Sequence, residues 1–226
     1  MTIDINNPAQ RTPCILVLDA SGSMQAFEAC GRTRIDLLND GLRAFHSALL
    51  SDPIALARVQ IAAVNAGGPI GTPRLFLDWT DASEFEPFQV MAEGDTPLGE
   101  ALLAALEALD AHKLELRRNG ISYTRPWMMV VTDGEPTDSP PTWAKARDAV
   151  RSAEAAGKLE VFPIAIGSAN VGKLSELSVR PALNMNAVHF REFFVWLSSS
   201  LGQMARSVPG ANVKIPSTDP WASVRL

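Results

Sequence analysis

The chain has 226 residues, of which 46% are hydrophobic and 20% are charged, with a formal net charge of −5. This length accommodates one substantial α/β domain with a full hydrophobic core. The acidic balance argues against nucleic-acid binding, which usually shows as a basic patch. No run approaches the roughly 18 consecutive apolar residues of a membrane helix, and the polar amino-terminal stretch is unlike a secretory signal. We therefore expect a cytoplasmic protein without membrane insertion.

Short apolar runs alternate with helical patterns along the chain. The predicted strands cover residues 14–19, 59–64, 74–77, 127–132 and 161–166. The predicted helices cover residues 36–50, 97–116, 141–156 and 191–207. Three of the strands lack polar alternation, which is typical of strands covered on both faces of a parallel sheet. This order predicts an α/β fold with a doubly wound, mostly parallel central sheet and helices on both faces.

The pair 59–64 and 74–77 flanks a turn rich in glycine and proline and predicts one antiparallel edge strand. We divide the chain into an amino-terminal extension (1–12), one domain (13–208) and a tail (209–226) rich in Pro, Ser and Asn. Trp221 lies in this tail, where it either packs back on the domain or docks a partner.

Polar side chains cluster where predicted strands end, and in open α/β sheets ligands bind beyond the carboxyl ends of the strands. Asp19, Ser21 and Ser23 follow the first strand in the stretch DASGS, and Asp133 follows the fourth. Thr96 precedes a predicted helix that begins with proline. The sequence therefore predicts that three loops contribute to one site.

The five side chains supply two carboxylates and three hydroxyls, without histidine or cysteine. This hard oxygen set suits Mg²⁺ or Mn²⁺ and is poor for zinc. Each part alone has a simpler explanation, because Thr96 before proline is a good helix N-cap and Asp133-Gly134 is a common turn. Together the three loops favour a metal site.

Further residues adjoin the site in sequence. We assign a partner-binding rim to Met24, Glu93, Asp95, Glu135 and Asp138. The four acids form either an ordinary solvated loop edge or a surface that strengthens cation capture and selects the partner. An acidic rim repels a carboxylate unless basic groups accompany it, so we expect a partner segment with one acid among basic or neutral neighbours.

The stretches DASGSM, TPLGEAL and TDGEPTD, in this order, resemble the metal-ion-dependent adhesion site of a von Willebrand factor A domain. The resemblance implies that Asp19, Ser21, Ser23, Thr96 and Asp133 hold Mg²⁺, with Mn²⁺ or Ca²⁺ as alternatives. It also implies an open coordination position that a partner protein's acidic side chain fills.

The stretch FREFFVWLSSSLGQMARSV is similar to the TerY-like bacterial A domains associated with tellurium resistance and stress. Homologues in that group are often encoded beside a PP2C-type phosphatase and a protein kinase. The resemblance therefore implies a place in a tellurite-resistance or stress-response system with these two proteins as candidate partners.

An enzyme is the alternative, namely a metal-dependent phosphatase or phosphotransferase that uses Asp19. Aspartyl phosphotransferases generally need a second acid two residues on, where this chain has Ser21, and a lysine near the phosphate. The chain also lacks a GxxxxGK[ST] phosphate loop and a GxSxG nucleophile elbow. We therefore expect a binding module and not an enzyme.

Overall fold

A seven-stranded sheet forms the centre of the molecule in the computed structural model, which describes residues 7, 9–167, 169–207, 213–219 and 221–223. The strands are β1 (Thr12–Ala20), β2 (Val59–Gly67), β3 (Arg74–Asp81), β4 (Trp127–Thr132), β5 (Glu160–Ile166), β6 (Leu183–Met185) and β7 (Ala222–Ser223). The helices are α1 (Arg34–Leu50), α2 (Pro53–Arg58), α3 (Leu98–Arg118), α4 (Pro140–Ala155), α5 (Val171–Ser175) and α6 (Phe190–Arg206), with short 3₁₀ helices at Gly22–Gln25 and Ala187–His189.

The sheet order is β3-β2-β1-β4-β5-β6-β7. Strands β2, β1, β4, β5 and β6 are parallel, and β3 pairs antiparallel with β2 at one edge. The predicted α/β fold class is confirmed. The very short strands β6 and β7 were not predicted from the sequence. β7 pairs antiparallel with β6 and forms the opposite edge of the sheet. Strands of two or three residues are too short to show a hydrophobic period.

The alternation of side chains along β1 divides the core into two layers. Cys14, Leu16 and Leu18 point to the layer that includes residues of α1 and α6. Ile15 and Val17 point to the opposite layer, which includes residues of α3 and α4. Every residue of β1 is buried, as expected for a central strand with helices on both faces.

The tail returns to the domain at Trp221. This side chain is buried, and its ring centroid lies 5.1 Å from those of both Phe193 and Trp196 on α6. Of the two alternatives for Trp221, packing on the domain is therefore the one observed. Parts of the extension (1–6 and 8) and of the tail (209–212, 220 and 224–226) lie outside the described residues. No described helix has both the length and the apolar character needed to cross a membrane.

Candidate metal site

Parallel pairing of β1 with β4 brings the first and third loops of the predicted site together. Leu18 of β1 lies opposite Val131 of β4, so the carboxyl ends of these two strands lie side by side. Asp19 is the penultimate residue of β1, and Asp133 directly follows β4. Both aspartates are buried.

Backbone hydrogen bonds carry the second loop, residues 91–97, to the same place. Glu93 donates its N–H to the carbonyl of Ala20 at the end of β1 (2.8 Å), and Gly22 donates to Gly94 (2.9 Å). On the other side, Thr137 donates its N–H to the carbonyl of Thr96 (2.9 Å). The loop therefore bridges the loops that follow β1 and β4.

Gly67 permits this close approach at the end of β2. Its φ is +95°, a conformation that favours glycine, and a Cβ placed on it would lie only 2.4 Å from the carbonyl oxygen of Asp95. A side chain at this position would push the loop that carries Thr96 away from the sheet.

A chain of hydrogen bonds joins four of the five predicted ligands and their neighbours. Asp19 Oδ1 accepts the N–H of Ser21 (2.8 Å), and Asp19 Oδ2 accepts the hydroxyl of Thr132. The hydroxyls of Ser21 and Ser23 lie 2.9 Å apart, and Ser23 donates to Asp133 Oδ1 (2.5 Å). Asp19, Ser21, Ser23 and Asp133 therefore belong to one hydrogen-bonded cluster.

Thr96 completes the arrangement beside Gly134. A Cβ built on Gly134 would lie 3.5 Å from Thr96 Oγ1, 3.8 Å from Ser23 Oγ and 4.0 Å from Asp19 Oδ2. Oxygens from the first two loops thus lie near one point beside Gly134 of the third loop.

Thr96 does not cap α3, which was its simpler explanation. The helix begins at Leu98, and its N-cap residue is Pro97, which makes no capping hydrogen bond through its side chain. Asp138 performs this function, because its carboxylate accepts the N–H groups of Gly99 (2.7 Å) and Glu100 (3.0 Å). The hydroxyl of Thr96 is therefore not used for capping.

Burial raises the pKa of Asp19 above its ordinary value, and the negative charge of Asp133 acts in the same direction. Hydrogen bonds from Ser21 and Thr132 oppose this effect. Two carboxylates held close together away from water are unfavourable when both are ionised. A divalent cation between them would relieve this cost, so the electrostatics fit the oxygen donor set.

Arg34, the first residue of α1, is a neighbour of the site that the sequence did not reveal. Its Nη1 lies 2.7 Å from Asp133 Oδ2, and its Nε lies 2.7 Å from Glu28 Oε1. The guanidinium therefore holds the outer oxygen of Asp133 while Oδ1 faces Ser23. Residues 28, 34 and 133 follow no local spacing rule, so no sequence signal could have identified this contact.

The five residues assigned to the partner-binding rim differ in exposure and in contacts. Glu93 and Asp95 are exposed in the second loop. Glu135 is also exposed, and hydrogen bonds from Asn170 and Lys173 lower the pKa of its carboxyl group. The assignment of Met24 to the rim is wrong, because its side chain is completely buried in the core layer beside α1. The carboxylate of Asp138 is committed to the N-terminus of α3 and is not a free rim group.

The described residues contain no group of three or more His, Cys, Asp or Glu side chains that could hold a metal ion. The candidate site differs from such groups because three of its five predicted ligands are hydroxyls. Serine and threonine oxygens with two carboxylates are acceptable ligands for Mg²⁺, which keeps several of its waters. The residues present therefore fit this ion.

Comparisons with known proteins agree with this architecture. The family model of the von Willebrand factor type A domain matches residues 14–200. A search of curated proteins found no match. Among solved structures, the pilus adhesin SpaC from Lactobacillus rhamnosus GG is similar, with a TM-score of 0.66 and 15% identity over 86% of this chain and 31% of SpaC.

Two further structures share the fold. Proximal thread matrix protein 1 from the mussel byssus has a TM-score of 0.57 and 14% identity over 85% of this chain and 48% of its own. A D319A mutant of the PilB minor pilin from Streptococcus sanguinis has a TM-score of 0.57 and 10% identity over 85% and 62%. The chain thus spans less than two thirds of each of these proteins, and at such identities the likeness concerns the fold alone.

Proposed function

The chain belongs to the von Willebrand factor type A family, a family of protein-interaction modules, and we propose that it binds a partner protein through Mg²⁺. The proposed ligands are Asp19, Ser21, Ser23, Thr96 and Asp133. A bound Mg²⁺ would supply an open coordination position for an acidic side chain of the partner. Mn²⁺ and Ca²⁺ are alternative ions for the same oxygens.

One observation carries this proposal above the others. Oxygens of Thr96, Ser23 and Asp19, which come from two loops distant in sequence, all lie within 4.0 Å of the point that a Cβ of Gly134 would occupy. The hydroxyl of Thr96 does not cap α3, because the carboxylate of Asp138 caps this helix. The Thr96 hydroxyl is therefore available as a ligand. If the three loops were unrelated turns, we would not expect these oxygens to lie together.

The geometry of Asp19 supports a binding module over an enzyme. Its side chain is fully buried, and each carboxylate oxygen already accepts a hydrogen bond, from Ser21 and from Thr132. A nucleophile needs an accessible oxygen aimed at the substrate. Asp19 is better placed to hold a cation than to attack a phosphoester.

We further propose a TerY-like role in tellurite resistance or stress response, with a PP2C-type phosphatase and a protein kinase as partners. Phe193, Phe194 and Trp196 of the resembling stretch are all buried core residues of α6. Core packing accounts for this aromatic pattern, so the support for the subfamily is the sequence resemblance alone.

Metal binding is tested by calorimetric titration of the apo protein with Mg²⁺. We expect Asp19→Ala to abolish binding and Thr96→Val, which keeps the shape of threonine, to weaken it about tenfold or more. Thr72→Val, at an exposed position in the turn between β2 and β3, serves as the matched control. Equal Mg²⁺ affinity in all four proteins would refute the site.

Partner binding is tested by affinity capture from native lysate, with Mg²⁺ or with EDTA. We expect captured proteins to be lost with EDTA and with Thr96→Val, and the phosphatase and kinase to be among those lost. Capture that survives both treatments would show that the metal does not mediate binding. Hydrolysis of a generic phosphoester that disappears with Asp19→Ala would instead establish the enzymatic alternative.

A further inference from the structure

A second polar concavity lies at the end of the sheet where β4 and β5 begin, opposite the candidate metal site. It has a volume of about 460 Å³ and lies between the last turns of α3, the segment before β4 and the turn after α4. This volume is within the range of roughly 300–1,000 Å³ for small-molecule sites. We call it the basic pocket because its lining includes Lys113, Arg117, Arg125 and Lys158.

The four cationic side chains are held in different ways. Lys113 is largely buried, with its side chain 7% exposed and its Nζ 2.5 Å from Asp110 Oδ1. The Arg117 guanidinium lies over the ring of Tyr123, 5.7 Å from its centroid. Aromatic stacking of this kind holds a guanidinium in place and leaves its N–H groups free to bind an anion.

Arg125 lies against the backbone of Gly157. A Cβ built on Gly157 would lie 3.1 Å from Arg125 Nη2, and the φ of +68° at this glycine suits the absence of a side chain. Arg125 also pairs with Glu160. The turn after α4 thus leaves room for a guanidinium in the pocket wall.

The charge balance of the basic pocket is unlike that of the protein as a whole. The chain carries a net charge of −5, yet the lining combines four cations with the single carboxylate of Asp110. Among the described residues, Arg117 and Lys158 form no ion pair with a carboxylate. Like charges gathered in one concavity repel each other, and a multivalent anion would remove this repulsion.

We propose that the basic pocket binds the phosphate group of a small phosphorylated ligand. Arginine presents a planar fork of donors that matches phosphate, and lysine adds a point charge. Phosphate is a better match than a single carboxylate because two of the four cations lack a counter-charge among the described residues. The pocket is larger than one phosphate, so the rest of the ligand has room beside Tyr123. The proposal is independent of the candidate metal site.

The test uses the full chain in EDTA-containing buffer at fixed ionic strength, so that metal-bound phosphate plays no part. Inorganic phosphate and adenosine monophosphate are titrated by calorimetry, and the melting temperature is recorded against sodium chloride. We expect both phosphate compounds, but not chloride, to raise the melting temperature. Equal affinity for the two compounds identifies the phosphate alone as the ligand, and tighter binding of the nucleotide identifies a larger phosphorylated molecule.

Four variants decide where the anion binds. Arg117→Gln and Lys158→Gln, both at exposed positions, should weaken binding about tenfold each. Asp110→Asn removes the pocket's one carboxylate and should tighten binding. Arg118→Gln makes the same charge change one residue further along α3, outside the lining, and should have little effect. Binding no stronger than that of chloride, or equal losses for Arg118→Gln and Arg117→Gln, would overturn the proposal.

Discussion

His112 should make the stability of the protein depend on pH. Its ring is fully buried on α3, stacked on Trp79 with 4.0 Å between ring centroids and 5° between the ring planes. Gln60 donates its amide N–H to Asp81, so its Oε1 faces His112 Nε2 at 2.8 Å and accepts a hydrogen bond. His112 Nδ1 has no hydrogen-bond partner among the described residues. Protonation would therefore place an unsatisfied N–H and a charge in the core.

Burial lowers the pKa of His112 from 6.5 to about 4. In the unfolded chain the imidazole binds a proton near pH 6.5, whereas in the folded protein it does so only near pH 4, so acid favours unfolding. The stabilisation is complete above pH 6.5 and is lost as the pH falls towards 4. By linkage, the free energy of unfolding decreases by about 2 kcal/mol at pH 5 and about 3 kcal/mol at pH 4, relative to pH 7.5.

The assay is urea unfolding of the wild type and His112→Phe between pH 7.5 and 4. Phenylalanine keeps an aromatic ring against Trp79 but does not titrate, so the difference between the two proteins isolates His112 from all other titrating groups. We expect this difference to shrink by about 2 kcal/mol between pH 7.5 and 5. The partly exposed His46, replaced by phenylalanine, is the control. A difference that stays constant over this range would refute the reasoning.

Three other changes test packing and the candidate site. Gly41→Ala should destabilise the protein by about 1–3 kcal/mol in urea unfolding, because its Cβ would lie 2.5 Å from Phe194 Cδ2 between α1 and α6. A thiol reagent should modify only the exposed Cys30 in the native protein and a second cysteine after unfolding. Arg34→Gln should tighten Mg²⁺ binding on the order of tenfold in calorimetry, because it removes a cation 2.7 Å from Asp133. Unchanged or weaker binding would show that holding Asp133 matters more than charge.

The central strands and the positions of the five candidate ligands could be predicted because both depend on local sequence. A run such as residues 14–19 is apolar throughout, and this pattern indicates a strand buried on both faces. In a parallel sheet, polar residues that follow such strands gather at one edge without any knowledge of side-chain packing. Asp19 and Asp133 could therefore be placed together before the structure was known.

The neighbours of the site could not be predicted because they depend on contacts between distant segments. Met24 follows Ser23 in a loop, yet the 3₁₀ turn directs its side chain into the core. Asp138 belongs to the loop after β4, but its carboxylate caps a different helix. Arg34 reaches Asp133 across 99 residues of sequence. None of these contacts has a periodic or short-range signature.

The candidate metal site and the basic pocket lie at opposite ends of the parallel strands, and the topology explains part of the difference between their side chains. Asp19 and Asp133 lie at the carboxyl ends of β1 and β4, whereas α3 and α4 end on the side where the next strands begin. A cation in the last turn of a helix is stabilised by the helix dipole, which accounts for Arg117 on α3 without any ligand. Lys158 lies just after α4, and its N–H donates to the carbonyl of Ala153 in the last turn of that helix (2.9 Å), so the dipole of α4 favours this charge as well. Arg118 shares the last turn of α3 with Arg117 but lies outside the concavity, so a larger loss of phosphate binding in Arg117→Gln than in Arg118→Gln is the decisive result, because the helix dipole favours both charges alike.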